Sequence, residues 1–172
     1  STHTKLEVAP EGLAALRRIE GPVAPVIVIG PYRSGKSFLL NQLLQVPCDK
    51  GFGVGHLRDT QTKGIWVWGE AKPISVDGED VSVVYVDTEG FESTGKTEAY
   101  DDRIFALSAI IGSVLIYNLP ETVKEMDIEK LSFASELAEE FFSRVQGRES
   151  AFHPASLLWL IQRDFLEGKT VQ

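Results

Sequence analysis

Lys36 and Ser37 close the octet Gly30-Pro31-Tyr32-Arg33-Ser34-Gly35-Lys36-Ser37, which fits the phosphate-loop spacing G-x-x-x-x-G-K-[ST]. Gly30 and Gly35 let the backbone turn sharply and come close to an anion. Loop amides and the N-terminus of a following helix then point at the phosphates. Lys36 brings a mobile positive charge to the β- and γ-phosphates, and the Ser37 hydroxyl is a hard oxygen ligand suited to Mg²⁺. Pro31 has no N–H, but it stands early in the octet, ahead of the amides that hold a β-phosphate.

A second group is Asp87-Thr88-Glu89-Gly90, directly after Val83-Val84-Tyr85-Val86. A carboxylate at the C-terminal end of a core strand beside a phosphate loop can hold Mg²⁺ through water. Gly90 frees a backbone N–H to approach a γ-phosphate. A third group lies in Gly51–Gly64, where Gly51, Gly53, Gly55 and Gly64 stand among polar residues and predict a flexible loop. Thr60 and Thr62 sit at its far end. A threonine hydroxyl there can complete a Mg²⁺ shell, and such a loop orders when the phosphate is present. His3, His56 and His153 form no metal constellation and read as surface or structural residues.

These groups need elements to carry them. Val26–Ile29 is a β-branched run suited to a buried parallel strand. Ser37–Leu44 has apolar residues at helical spacing and no breaker. Ile65–Trp68 and Val81–Val86 read as strands paired antiparallel, with Asp77-Gly78 as the turn signal between them. Phe91–Asp102 is polar and is expected to be mobile. A helix is expected over Asp102–Ile111, a strand over Ser113–Leu119 and a further buried strand over Leu157–Ile161. Asp127–Val145 places Ile128, Leu131, Ala134, Leu137, Ala138, Phe141 and Phe142 on one face of a long amphipathic helix. At the start, Lys5–Val8 is read as a short edge strand and Pro10–Ile19 as a helix. The class is α/β, a mostly parallel sheet flanked by helices with one antiparallel strand.

The 172 residues suffice for one such domain with its own core, and a 43% apolar fraction is ordinary for a globular chain. A net charge of −8 argues against a nucleic-acid partner, although a local positive site still permits a nucleotide. Cys48 is the only cysteine, so no internal disulfide forms, which suits a reducing, cytoplasmic setting. Ser1–Glu20 has no apolar h-region. The longest uncharged run, Ile104–Pro120, is interrupted by Ser108, Gly112, Ser113 and Asn118 and is shorter than the ~20 apolar residues of a membrane span. It reads as a buried helix end followed by a core strand.

Ras-like GTPases carry N-K-x-D after their late strand, and here neither Asn41 nor Asn118 is followed by lysine. The phosphate loop, Thr62-Lys63-Gly64-Ile65-Trp66, Asp87-Thr88-Glu89-Gly90 and Arg163-Asp164-Phe165 together resemble the guanylate-binding proteins. These are dynamin-related large GTPases, relatives of the atlastins. Ile104-Phe105-Ala106-Leu107 and Leu115-Ile116-Tyr117-Asn118 resemble that family too. Tyr117–Thr122 is similar to plant or protist members more than to animal ones.

The resemblance implies a Ras-like P-loop NTPase fold, GTP/GDP and Mg²⁺ as ligands, hydrolysis of GTP, and a homodimer formed through the GTP-bound domain. It implies nucleotide contacts from Tyr32, Arg33, Ser34, Gly35, Lys36, Ser37, Phe38, Thr62 and Gly90. Arg163-Asp164 would replace N-K-x-D in reading the base, with Asp164 accepting from guanine N1–H and the 2-amino group. Ser37, Thr62 and Asp87 would serve the metal. Arg33 would be an arginine finger supplied from within the loop. Thr60 would position the attacking water, Glu89 would belong to the water-orienting network, and Lys36 would complete the catalytic set. The family's domain continues with further strands, helices and a cap over the base, so residues 1–172 read as its first part. A GTP-switched module with negligible hydrolysis and an ATPase are the alternatives.

Overall fold

The structure is a computed structural model that describes residues 6–47, 49–54, 63–91, 98–145 and 154–163. Their elements in chain order are α1 (Pro10–Arg17), β1 (Val23–Ile29), α2 (Lys36–Leu44), β2 (Ile65–Val67), β3 (Lys72–Val76), β4 (Glu79–Thr88), α3 (Glu98–Ile111), β5 (Val114–Leu119), α4 (Glu125–Arg144) and β6 (Ser156–Ile161). The six strands form one sheet in the order β2-β4-β1-β5-β6, with β3 paired to β4. β4, β1, β5 and β6 run parallel, while β2 and β3 run antiparallel to β4. The chain leaves β1 for β4 on one side and then crosses to β5 on the other. The direction of winding thus reverses at β1, and in open parallel sheets ligands bind beyond the strand ends at that reversal.

Strand alternation divides the core. Ile27, Ile29, Val84, Val86, Leu115, Tyr117 and Leu119 face α3 and α4, where they pack with Phe91, Tyr100, Ile104, Phe105 and Ala134. The residues between them face the other way. Val28 and Ile116 pack with Leu40 and Leu44 of α2 and with Phe52. A period of two in β1, β4 and β5 therefore fills both faces with apolar side chains, as a covered sheet requires; β6, expected to be buried, is the edge strand, and Leu157, Leu158 and Ile161 on it are exposed. Tyr117 stacks on Trp159 with ring centroids 4.9 Å apart, and its hydroxyl donates to Asp127 Oδ1 at 2.6 Å. Asp127 Oδ2 also accepts the Lys124 N–H at 2.8 Å, capping α4. One buried carboxylate fixes both the start of α4 and its seat on β5.

Several local expectations change. Asp77-Gly78 does form a turn, but it joins β4 to β3, a strand within the expected connection; β2 then pairs antiparallel with the end of β4. Leu6–Val8 forms no strand; Leu6 instead packs singly against the larger core. α3 begins at Glu98, inside the stretch expected to be mobile, because Tyr100 anchors its first turn in the core. Phe52 is likewise no loop residue in solvent. It is buried against Trp68, and Asn41 brackets its backbone by donating to the Phe52 carbonyl at 2.9 Å and accepting its N–H at 2.7 Å. Ile104–Pro120 is, as expected, the buried end of α3 followed by a core strand. No helix among the described residues is long and apolar enough to cross a membrane.

Candidate functional site

The phosphate loop leaves the C-terminal end of β1 and enters α2 at Lys36. Its turns need the left-handed backbone region at Arg33 (φ 62°) and at Gly35 (φ 82°), the residue that precedes the helix. Gly30 is required for space. A Cβ there would lie 2.2 Å from the backbone oxygen of Asn118. Lys36 is buried, and its Nζ donates to the Pro31 carbonyl at 3.0 Å across the loop. Arg33 is exposed, with its guanidinium 5.7 Å from the centre of the Tyr32 ring. Phe38 stands half exposed on the first turn of α2.

The segment after β4 is sewn to this loop. Tyr32 N–H donates to the Phe91 carbonyl at 2.8 Å, and Phe91 N–H donates to the Gly30 carbonyl at 3.2 Å. Gly90 lies between these bonds. A Cβ on it would sit 2.4 Å from Tyr32 Cα and 3.0 Å from Lys36 Nζ. Asp87, fully buried, accepts the Ser37 hydroxyl on Oδ2 at 2.6 Å. Two of the three residues singled out for Mg²⁺, Ser37 and Asp87, thus offer hard oxygens side by side at the mouth of the loop. This donor pair fits a cation that takes few protein ligands and completes its shell with water and phosphate oxygens. Among the described residues, no group of three or more His, Cys, Asp or Glu could hold a metal by itself.

Glu89 is also buried. Its Oε2 accepts the Gly64 N–H at 2.8 Å and the Tyr100 hydroxyl at 3.0 Å, while its own N–H donates to the Gly64 carbonyl at 2.8 Å. Burial, and next the neighbouring Glu89 charge, push the Tyr100 hydroxyl up to about 12. The phenol therefore stays a donor throughout the neutral range. Gly64 stands just beyond Thr60 and Thr62, which lie outside the described residues, so Glu89 grips the trailing end of that loop.

The β5 and β6 side contributes residues to which the sequence assigned no role. Asn118 is fully buried at the end of β5, and its Nδ2 donates to the Ser34 carbonyl at 2.8 Å. Gln162, just past β6, donates through Nε2 to the same carbonyl and to Asn118 Oδ1, the latter at 2.9 Å. Arg163 is exposed, and Asp164 lies outside the described residues. The one sequence signal for Asn118 and Gln162 was position. Each is an amide at the C-terminal end of a parallel strand, the end that carries the phosphate loop.

Loop amides, a lysine, a hydroxyl–carboxylate pair and a buried glutamate thus gather beyond the ends of β1 and β4. Comparison with known proteins gives the family. The family profile described as "Guanylate-binding protein, N-terminal domain" matches residues 3–166. Guanylate-binding protein 7 of Mus musculus is 31% identical over 182 residues, covering 97% of this chain and 27% of its own length. Guanylate-binding protein 3 of Homo sapiens is 34% identical over 151 residues, covering 87% of this chain and 24% of its own. Guanylate-binding protein 6 of Mus musculus is 37% identical over 136 residues, with 78% and 21% covered. The chain spans about a quarter of the length of these relatives. With the profile matched over nearly all its residues, the chain belongs to the guanylate-binding protein family, as part of the N-terminal domain.

Proposed function

We propose that this chain carries the phosphate- and metal-binding part of a GTPase that binds GTP with Mg²⁺ and hydrolyses it. The observation that supports this most is the Ser37–Asp87 pair, 2.6 Å apart at the mouth of a loop containing buried Lys36. Membership in the guanylate-binding family, and Arg163-Asp164 soon after Ile161 in the sequence, favour guanine over adenine. An aspartate accepts from the two guanine donors, and adenine presents neither there.

Catalysis in this reading is positioning and charge stabilisation. Loop amides from Tyr32 to Phe38 and Lys36 Nζ bind the phosphates, Lys36 exchanging its Pro31 contact for phosphate oxygen. Mg²⁺, when bound, neutralises charge on the phosphate oxygens, with Ser37, Thr62 and Asp87 as the residues to hold it. Gly90 brings its N–H toward the γ-phosphate. Glu89, gripping Gly64, aligns the loop whose Thr60 positions the attacking water. Arg33, exposed and beside Tyr32, swings onto the transferring group. A second copy of the GTP-bound domain is the partner that presses Arg33 into place.

The test is competition of GTP and ATP for a fluorescent GDP analogue on the full-length protein. GTP should displace it at far lower concentration than ATP, and Lys36→Ala should abolish binding of both. Equal competition would remove the guanine assignment. Turnover per molecule should rise with protein concentration. Arg33→Ala should bind GTP nearly normally and lose that rise, with turnover down by roughly 10³. A flat dependence would remove the dimer-assisted step and leave the binding reading standing.

A further inference from the structure

The Ser34 carbonyl has two lone pairs and no donor. Asn118 Nδ2 and Gln162 Nε2 both donate to it, and Gln162 Nε2 also reaches Asn118 Oδ1. The acceptor-only carbonyl dictates the orientation of both amides: each must present its NH₂ group. The main chain fixes Gln162 as well, since its N–H donates to the Leu119 carbonyl at 3.0 Å. Its side chain also lies against the loop, because a Cβ on Gly35 would come 3.9 Å from Gln162 Nε2. Three strand ends are thereby joined. The amides of β5 and β6 grip the peptide that links Ser34 to Gly35, in the loop that follows β1.

A trans peptide is planar, with its C=O and N–H pointing in opposite directions. Holding the Ser34 carbonyl toward Asn118 and Gln162 therefore turns the Gly35 N–H away from them. We propose that Gln162 is a positioning residue: with Asn118, it locks the Ser34–Gly35 peptide so that the Gly35 N–H is presented to the β-phosphate of a bound nucleotide. This rests on the reading of the loop as a nucleotide site. Gln162 directly precedes Arg163 and Asp164. One residue thus ties the segment assigned to the base to the loop assigned to the phosphates. Without the Gln162 donors the carbonyl keeps Asn118 alone, and the Gly35 N–H is held less firmly before any ligand arrives.

The experiment is nucleotide binding to the full-length protein and its Gln162→Met variant, by displacement of a fluorescent GDP analogue with GDP and with GMP. Methionine keeps the length and removes the donors. Asn118 still holds the Ser34 carbonyl in this variant, so the fold is kept and the unliganded melting temperature should fall by a few degrees at most. GDP affinity should fall about tenfold, the scale of one lost hydrogen bond to an oriented group, while GMP affinity stays within about twofold. Equal losses for GDP and GMP would overturn the inference, since Gln162 would then act on the base or on the fold. No loss for either would overturn it too. A wild-type protein that binds neither nucleotide would overturn the underlying GTP reading and this inference with it.

Discussion

The two flanks of the phosphate loop are held by different chemistry. On the β4 side the turn of the loop is bonded main chain to main chain, Tyr32 with Phe91 and Phe91 with Gly30, and the Ser37–Asp87 side-chain bond joins it at the start of α2. On the β5 and β6 side they are made by two side-chain amides on one carbonyl. Main-chain bonds are indifferent to most side chains and fail only when a side chain intrudes. At its main-chain bonds the first flank is therefore most intolerant at its glycines. The second can be adjusted one substitution at a time, because its bonds belong to Asn118 and Gln162. A site built this way can vary how firmly it orients the loop without disturbing the strand that carries Asp87.

Substitutions on each flank should separate the two. Gly90→Ala should be the most damaging. Its new methyl, fixed to the main chain, would meet the backbone Cα of Tyr32 at 2.4 Å, so neither partner yields by rotating a side chain. A loss of about 3 kcal/mol is expected, at the upper end of overpacking costs, together with loss of nucleotide binding. Chemical denaturation and nucleotide titration check both, and a tolerated alanine would show that this flank has slack.

Asn118→Ala comes next. It removes a fully buried amide and leaves the Ser34 carbonyl with Gln162 alone. About 2 kcal/mol should be lost, within the range for a buried hydrogen bond whose partner is left behind. In a double-mutant cycle, Asn118→Ala and Gln162→Met should prove non-additive, since the two amides share an acceptor and bond each other. Strict additivity would mean that the amides act separately.

Tyr100→Phe should be mildest, costing about 1 kcal/mol at neutral pH through the lost bond to Glu89. Its signature lies in alkaline solution. The folded protein holds the phenolic proton to about 12, whereas the ordinary value is 10.0. Between those values the unfolded chain binds fewer protons than the folded one, so stability falls as pH rises. The wild-type advantage over the Phe variant should be complete below pH 10 and vanish on the way to 12. Denaturation curves of both proteins across that window decide it.

Legibility in the sequence followed the range of the interaction. The loop, Lys36, Ser37 and the start of α2 could be read because their constraints are local. Asp87 could be read because a β-branched run delivers it. β3 was missed because Lys72-Pro73-Ile74-Ser75-Val76 is largely exposed and so carries little hydrophobic pattern, and its proline is tolerated at a sheet edge. The buried place of Phe52 depends on Asn41, eleven positions away on α2. The partners of Asn118 and Gln162 lay further still. Asn118 reaches Ser34 across 84 positions and Gln162 reaches Asn118 across 44. An amide is common in any sequence, and only the strand order gives these two a shared target.

The Asp77-Gly78 turn carries one more consequence, a matter of measurement along a strand. β4 runs from Glu79 to Thr88, with the turn at one end and Asp87 near the other. Val76 is matched to Glu79 across the hairpin, and the same strand is matched to β1 at Val28–Asp87. Strand residues alternate faces, so a slip of one position would advance Asp87 by ~3.3 Å and turn its carboxylate to the opposite face. The turn fixes where β4 starts against β3, and the pairing of β4 with β1 is the ruler that sets where the aspartate at its far end meets the serine of the loop.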